Sequence, residues 1–131
     1  MTAGLPRFTA ITTDIAVAVR PAYLDGQSDA LAHKFVFAYF ITIENGSNET
    51  VQLLRRHWTI VHSSGKTEEV DGEGVIGKQP VIGPGQSHEY NSFCIIESME
   101  GTMEGTYLMR RKNGVTFEVR IPRFPLRALS N

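Results

Sequence analysis

Apolar side chains recur at every second position along most of this chain, in runs broken by Asn-Gly pairs, prolines and glycine clusters. A period of two marks β-strands that bury one face. Residues 14–20 place Ile15, Val17 and Val19 on one face, and Pro21 with the polar run 24–29 then predicts a loop. Residues 34–44 alternate Phe35, Phe37, Tyr39, Ile41 and Ile43 with Val36, Ala38 and Phe40, so both faces are apolar and the strand belongs in the middle of a sheet. The run Asn45-Gly46-Ser47-Asn48 predicts a turn, because Asn and Gly accept positive φ at low cost. A third strand covers residues 51–62, with Trp58 and Ile60 facing one way and Arg55, His57 and Thr59 the other. After a turn at 63–66 a short strand ends at Val70, and residues 71–85 form a long irregular segment. Strands at 86–96, 102–111 and 115–121 complete the set, joined by turns at 97–101 and at Lys112-Asn113-Gly114, and Pro122 and Pro125 end the last one.

No helical apolar period persists over several turns. About seven or more short strands with regular turn signals predict two antiparallel sheets packed face to face, with Trp58 and Phe37 or Tyr39 in the core. The sandwich fills residues 11–125, leaving 1–10 as a flexible N-terminal tail and 126–131 as a C-terminal tail. A chain of 131 residues is one domain, long enough for a core without staples. Its 13 Lys+Arg against 14 Asp+Glu give a net charge of -1, which lacks the basic excess of a nucleic-acid binder. The single cysteine, Cys94, excludes an internal disulfide and suits a reducing, cytoplasmic compartment. Residues 1–7 carry no charged segment leading into a long apolar one, so no targeting signal is expected. The longest apolar stretch, 35–43, falls well short of the roughly 20 residues of a membrane helix, so no membrane insertion is expected.

Residues 71–85 hold five glycines and two prolines, including a GxGxxG at Gly72, Gly74 and Gly77 followed by Lys78, Gln79 and Pro80. Together with the Gln-Pro-x-x-x-Pro-Gly run and the Gly-x-Met-x-Gly-x-Tyr-x-Met of residues 101–109, this stretch resembles the bacterial ApaG family over nearly the whole chain. The resemblance implies an all-β immunoglobulin or fibronectin type III-like antiparallel β-sandwich. It also implies an association with cobalt resistance and magnesium efflux, and an interaction role, since a related module occurs in an F-box protein and a polymerase-interacting protein. Phe93 stands where the family pattern usually has a small residue.

The GxGxxG invites a phosphate or nucleotide reading, but Pro80 and the Gly83-Pro84-Gly85 turn forbid the helix that a dinucleotide fold places behind it. A bare backbone nest with Lys78 beside it remains open to an anion, against Asp71 and Glu73 within the loop. Glu68, Glu69, Asp71 and Glu73 offer oxygen to a divalent cation, yet a strand sends Glu68 and Glu69 to opposite faces and leaves a solvated acidic edge. The same alternation keeps His57 from His62, and neither His33, His88 nor Cys94 stands at a chelating spacing, so no metal site is expected. Ser92 and Cys94 lack any nucleophile motif, and no enzyme or cofactor is expected. Residues 105–131 carry Arg110, Arg111, Lys112, Arg120, Arg123 and Arg127 against Glu118 alone, which sets a basic pole against an acidic body.

These residues together predict a non-enzymatic module that binds a protein partner through the loop of Gly72, Gly74, Gly77, Lys78 and Gln79. Phosphate, nucleotide or divalent-cation binding by that loop is the alternative. Exposed strand edges also admit a homodimer.

Overall fold

The structure is a computed structural model that describes residues 4–128. Among the described residues nine strands follow in order: β1 (Phe8–Thr12), β2 (Ile15–Tyr23), β3 (Phe35–Asn45), β4 (Val51–His62), β5 (Thr67–Glu73), β6 (Val81–Ile82), β7 (Ser87–Ile96), β8 (Glu100–Arg111) and β9 (Thr116–Arg127). A 3-10 turn, Asp25–Gln27, stands between β2 and β3. The strands build two antiparallel sheets, β1-β2-β3-β7 and β5-β4-β8-β9, with β6 pairing on β4. This is the expected all-β, fibronectin type III-like sandwich.

Its core contains the residues that the alternation predicts and adds Phe124, beyond the expected end of the last strand. Ile15, Val17 and Val19 of β2 and Phe37, Tyr39, Ile41 and Ile43 of β3 meet Met103, Tyr107 and Met109 of β8 and Val119, Ile121 and Phe124 of β9. Trp58 is 3% exposed and stands edge-on to Tyr39 and Phe124, with ring centroids 5.3 and 6.0 Å away. Such edge contacts set the negative ring face against a positive ring edge.

One irregularity in β4 positions the candidate site. Leu53 pairs with Met109 and Arg55 with Leu108, so Leu54 is an extra residue opposite no partner. A bulge of this kind exchanges the two faces of the strand downstream. Val51 and Leu53 are buried before it, and Trp58, Ile60 and His62 after it. Arg56 therefore shares the inward face with Trp58 and lies beside Tyr107 on the neighbouring strand.

Several boundaries differ from the sequence pattern, each for a physical reason. Residues 8–10 are not tail but part of β1, tied by a tight turn at Thr13 and Asp14 (φ 49° and 66°), with Phe8 packed on the core. β2 runs through Pro21 to Tyr23, because β1 pairs only as far as Val19 and the missing N–H of Pro21 is not needed beyond that point. β5 continues past Val70 to Glu73, and β8 takes in Glu100 and Gly101 from the expected turn. β9 tolerates Pro122 and Pro125 because it is the last strand of its sheet and its register slips beside Pro122. It reaches Arg127, with Leu126 fully buried, so residues 126–128 are not tail; residues 1–3 and 129–131 lie outside the described residues.

Candidate functional site

The glycine-rich segment is a hairpin and not an open loop. The bulge takes the Leu54 carbonyl off the strand ladder, and it accepts the Gly74 N–H (2.8 Å) and the Gln79 side-chain amide (3.0 Å). The Gln79 carbonyl in turn accepts the Gln52 side chain (3.1 Å). Val75 and Lys78 exchange two backbone bonds (2.8 and 3.0 Å) around a two-residue tip, Ile76 and Gly77, both with positive φ (48° and 72°). That is the mirror-image turn that suits a right-handed hairpin. Gly74 has φ 60°, and a β-carbon there would overlap the Lys78 carbonyl oxygen. The donors of Gly74, Val75 and Lys78 are thus spent on protein carbonyls, and the GxGxxG serves the hairpin's geometry; no phosphate cradle is formed by them.

The hairpin borders a cleft of about 250 Å³ at the side of the sandwich where β7 and β5 are the outermost strands. Tyr39, Tyr90 and Ser92 line it from the first sheet, Arg56 and Trp58 from the second, and Ile76 and Gly77 from the hairpin tip. Tyr90 and Tyr107 share a hydroxyl hydrogen bond. Burial pushes the Tyr39, Tyr90 and Tyr107 hydroxyls up, and the Arg56 charge pulls weakly the other way. All three are protonated near neutral pH. Ile76 is the anomaly of the hairpin, because a β-branched residue with φ 48° is strained and this one is also 59% exposed.

The other residues singled out by the sequence take separate places. His57 projects outward and is gripped by Asp71 on Nδ1 (2.8 Å) and Glu69 on Nε2 (3.0 Å), which holds its pKa above the ordinary value. The Asp71 bond is the largest cause. His62 points inward, with Glu68 at 3.2 Å from Nε2, so Glu68 and Glu69 do lie on opposite faces. The acidic strand is therefore engaged with β4 and is not simply a solvated edge. Among the described residues no three His, Cys, Asp or Glu side chains converge as a metal-ligand group. Cys94 faces the core, and burial together with the Glu68 charge pushes its thiol up to about 12. The basic segment interleaves with acids: Arg111 meets Glu49 at 3.0 Å and Arg127 meets Glu100 at 3.8 Å. None of the described helical segments is long and apolar enough to cross a membrane.

Arg56, Ile76, Tyr39 and Tyr90 line the cleft and are not among the candidate site residues read from the sequence. A signal for Arg56 exists, since the buried set changes from odd to even positions between Leu53 and Trp58, which a bulge alone explains.

Strand order and hairpin together define a fibronectin type III-like domain whose open edge carries a capped aromatic cleft. The chain belongs to the ApaG family: residues 25–111 match the ApaG domain. It is 47% identical over 119 residues to the protein ApaG of Mesorhizobium japonicum, covering 91% of this chain and 92% of that one. To protein ApaG of Brucella abortus it is 44% identical over the same share of each chain. The crystal structure of the putative ApaA protein from Bordetella pertussis superposes with a TM-score of 0.86 at 40% identity, covering 90% of this chain and 96% of that one.

Proposed function

We propose that this domain is a non-enzymatic, cytoplasmic binding module that engages a protein partner at the edge cleft, with the Ile76 tip as its apolar anchor. The observation that carries the proposal is Ile76 itself. An Asn-Gly pair would make the same turn without strain, so selection for folding alone does not explain a strained, exposed isoleucine there.

The strand edges support the same side. β5 carries Glu68, Glu69, Asp71 and Glu73, and β9 carries two prolines and a register slip, all features that blunt an edge. β7 has no proline and a single acid, Glu89, pairs with β3 without a break, and exposes Phe93 and Ile95. A buried thiol raised to about 12 is a poor nucleophile, which favours binding over catalysis. The family's link to cobalt resistance and magnesium efflux then runs through the partner and not through a metal held by this chain.

Capture from native lysate with the wild type and with Ile76→Asn tests the proposal. Loss of a specific partner from a fully folded variant is expected; equal recovery would contradict it.

A further inference from the structure

A guanidinium within the same cleft has no anionic partner. Arg56 Nη1 donates to the Glu73 and Gly74 carbonyls (3.0 and 2.9 Å). Its Nη2 and Nε have no acceptor among the described residues and are not fully enclosed, since the His62 Nε2 is the one fully enclosed side-chain nitrogen or oxygen there without a hydrogen bond. Glu73, the carboxylate that lines the cleft, lies 4.0 Å from Arg55 and is itself 79% exposed. The three tyrosines stay protonated and supply no countercharge. A partly desolvated cation without a counter-ion carries an electrostatic cost that an incoming anion relieves.

The shape narrows the anion. With Nη1 committed to two backbone carbonyls, Nε and Nη2 form the remaining edge of the fork, and that edge matches a planar carboxylate through two parallel bonds. The cleft's 250 Å³ falls below the range of about 300–1,000 Å³ for small-molecule sites, and it suits an inserted side chain.

We infer that the cleft receives an Asp or Glu side chain of an acidic peptide, paired with Arg56, while Ile76 packs against an apolar neighbour of that residue. The inference rests on the protein-binding role proposed above and adds the chemistry of the partner.

Selection of a random short-peptide library on the immobilised full chain tests it, with the selected peptide then titrated through Trp58, the single tryptophan, which lines the cleft. Peptides with an acid beside a bulky apolar residue are expected. Replacing that acid by its amide in the peptide should weaken binding about tenfold, and Arg56→Lys should do the same without further loss when both changes are combined. Acetate should compete better than inorganic phosphate at equal ionic strength; the reverse order would overturn the carboxylate assignment in favour of a phosphopeptide. Selection of neutral apolar peptides that Ile76→Asn abolishes would overturn the carboxylate inference and leave the protein-binding role standing. No selection at all would count against both. Should Arg56→Lys fail to fold, the amide peptide on the wild type decides alone.

Discussion

The Arg56 guanidinium lies flat against Gly72: a β-carbon on that glycine would stand 2.7 Å from Cζ and from both terminal nitrogens. The two residues are cross-strand partners on β4 and β5, and the absence of a side chain at one is what lets the other lie across the sheet edge. The first glycine of the GxGxxG thus positions a cation and leaves the turn to its companions. Gly72→Ala should displace the flexible end of Arg56 and free the Glu73 and Gly74 carbonyls, at a cost of about 1–2 kcal/mol for the two hydrogen bonds lost. Chemical denaturation measures that loss, and the variant should bind acidic peptides as weakly as Arg56→Lys does.

The two later glycines are predicted to differ. Gly74→Val sets a β-branched side chain at positive φ and drives its β-carbon into the Lys78 carbonyl, so a loss above ~3 kcal/mol is expected. Gly77→Ala meets no neighbour within 4 Å and should lose only the ~1–2 kcal/mol of the left-handed backbone. Urea melts of the two variants give the order directly.

His57 gives the domain a pH dependence of known sign. Its pKa is raised above 6.5 in the folded state, chiefly by the Asp71 bond, so the folded form holds the proton more tightly than the unfolded chain. The contribution is complete below 6.5 and fades as pH rises through the raised value. His57 is 35% exposed and its partners more so, which keeps the effect modest. Melting temperature should therefore decline as pH rises through that window, and His57→Gln should flatten that part of the curve.

Cys94 should be silent in the native protein. Its buried thiol, raised to about 12, has almost no thiolate at pH 8. Labelling by a thiol reagent should follow the rate of unfolding in added urea; prompt labelling of the folded protein would show that β7 opens locally.

Much of the fold is legible in the alternation because the inward faces of β2 and β3 are unbroken apolar rows and that of β8 is interrupted only at Gly105. The prolines mislead at Pro21, Pro122 and Pro125, since a proline's effect depends on whether its N–H side faces a neighbour, and that is settled only by sheet order. Of the candidate site, Gly72, Gly74, Gly77, Lys78 and Gln79 are all in the hairpin, but their roles are hidden. Gly74 and Gln79 satisfy a carbonyl freed by a bulge on a different strand, and Gly72 yields space to a side chain sixteen positions earlier by sequence number. Arg56 shares the face of Trp58 in the alternation of residues 55–60, and the change from odd to even buried positions between Leu53 and Trp58 marks the bulge that sets it there. The long-range roles of Gly72, Gly74 and Gln79 leave no local pattern.

The most direct measurement takes stability and binding on one protein, Ile76→Asn. Removing the strain at the hairpin tip should stabilise the fold by ~1 kcal/mol, a rise of roughly 3–5 °C in Tm, while partner binding is lost. A variant that melts higher and still binds as the wild type does would contradict the claim that the strained isoleucine is kept for recognition.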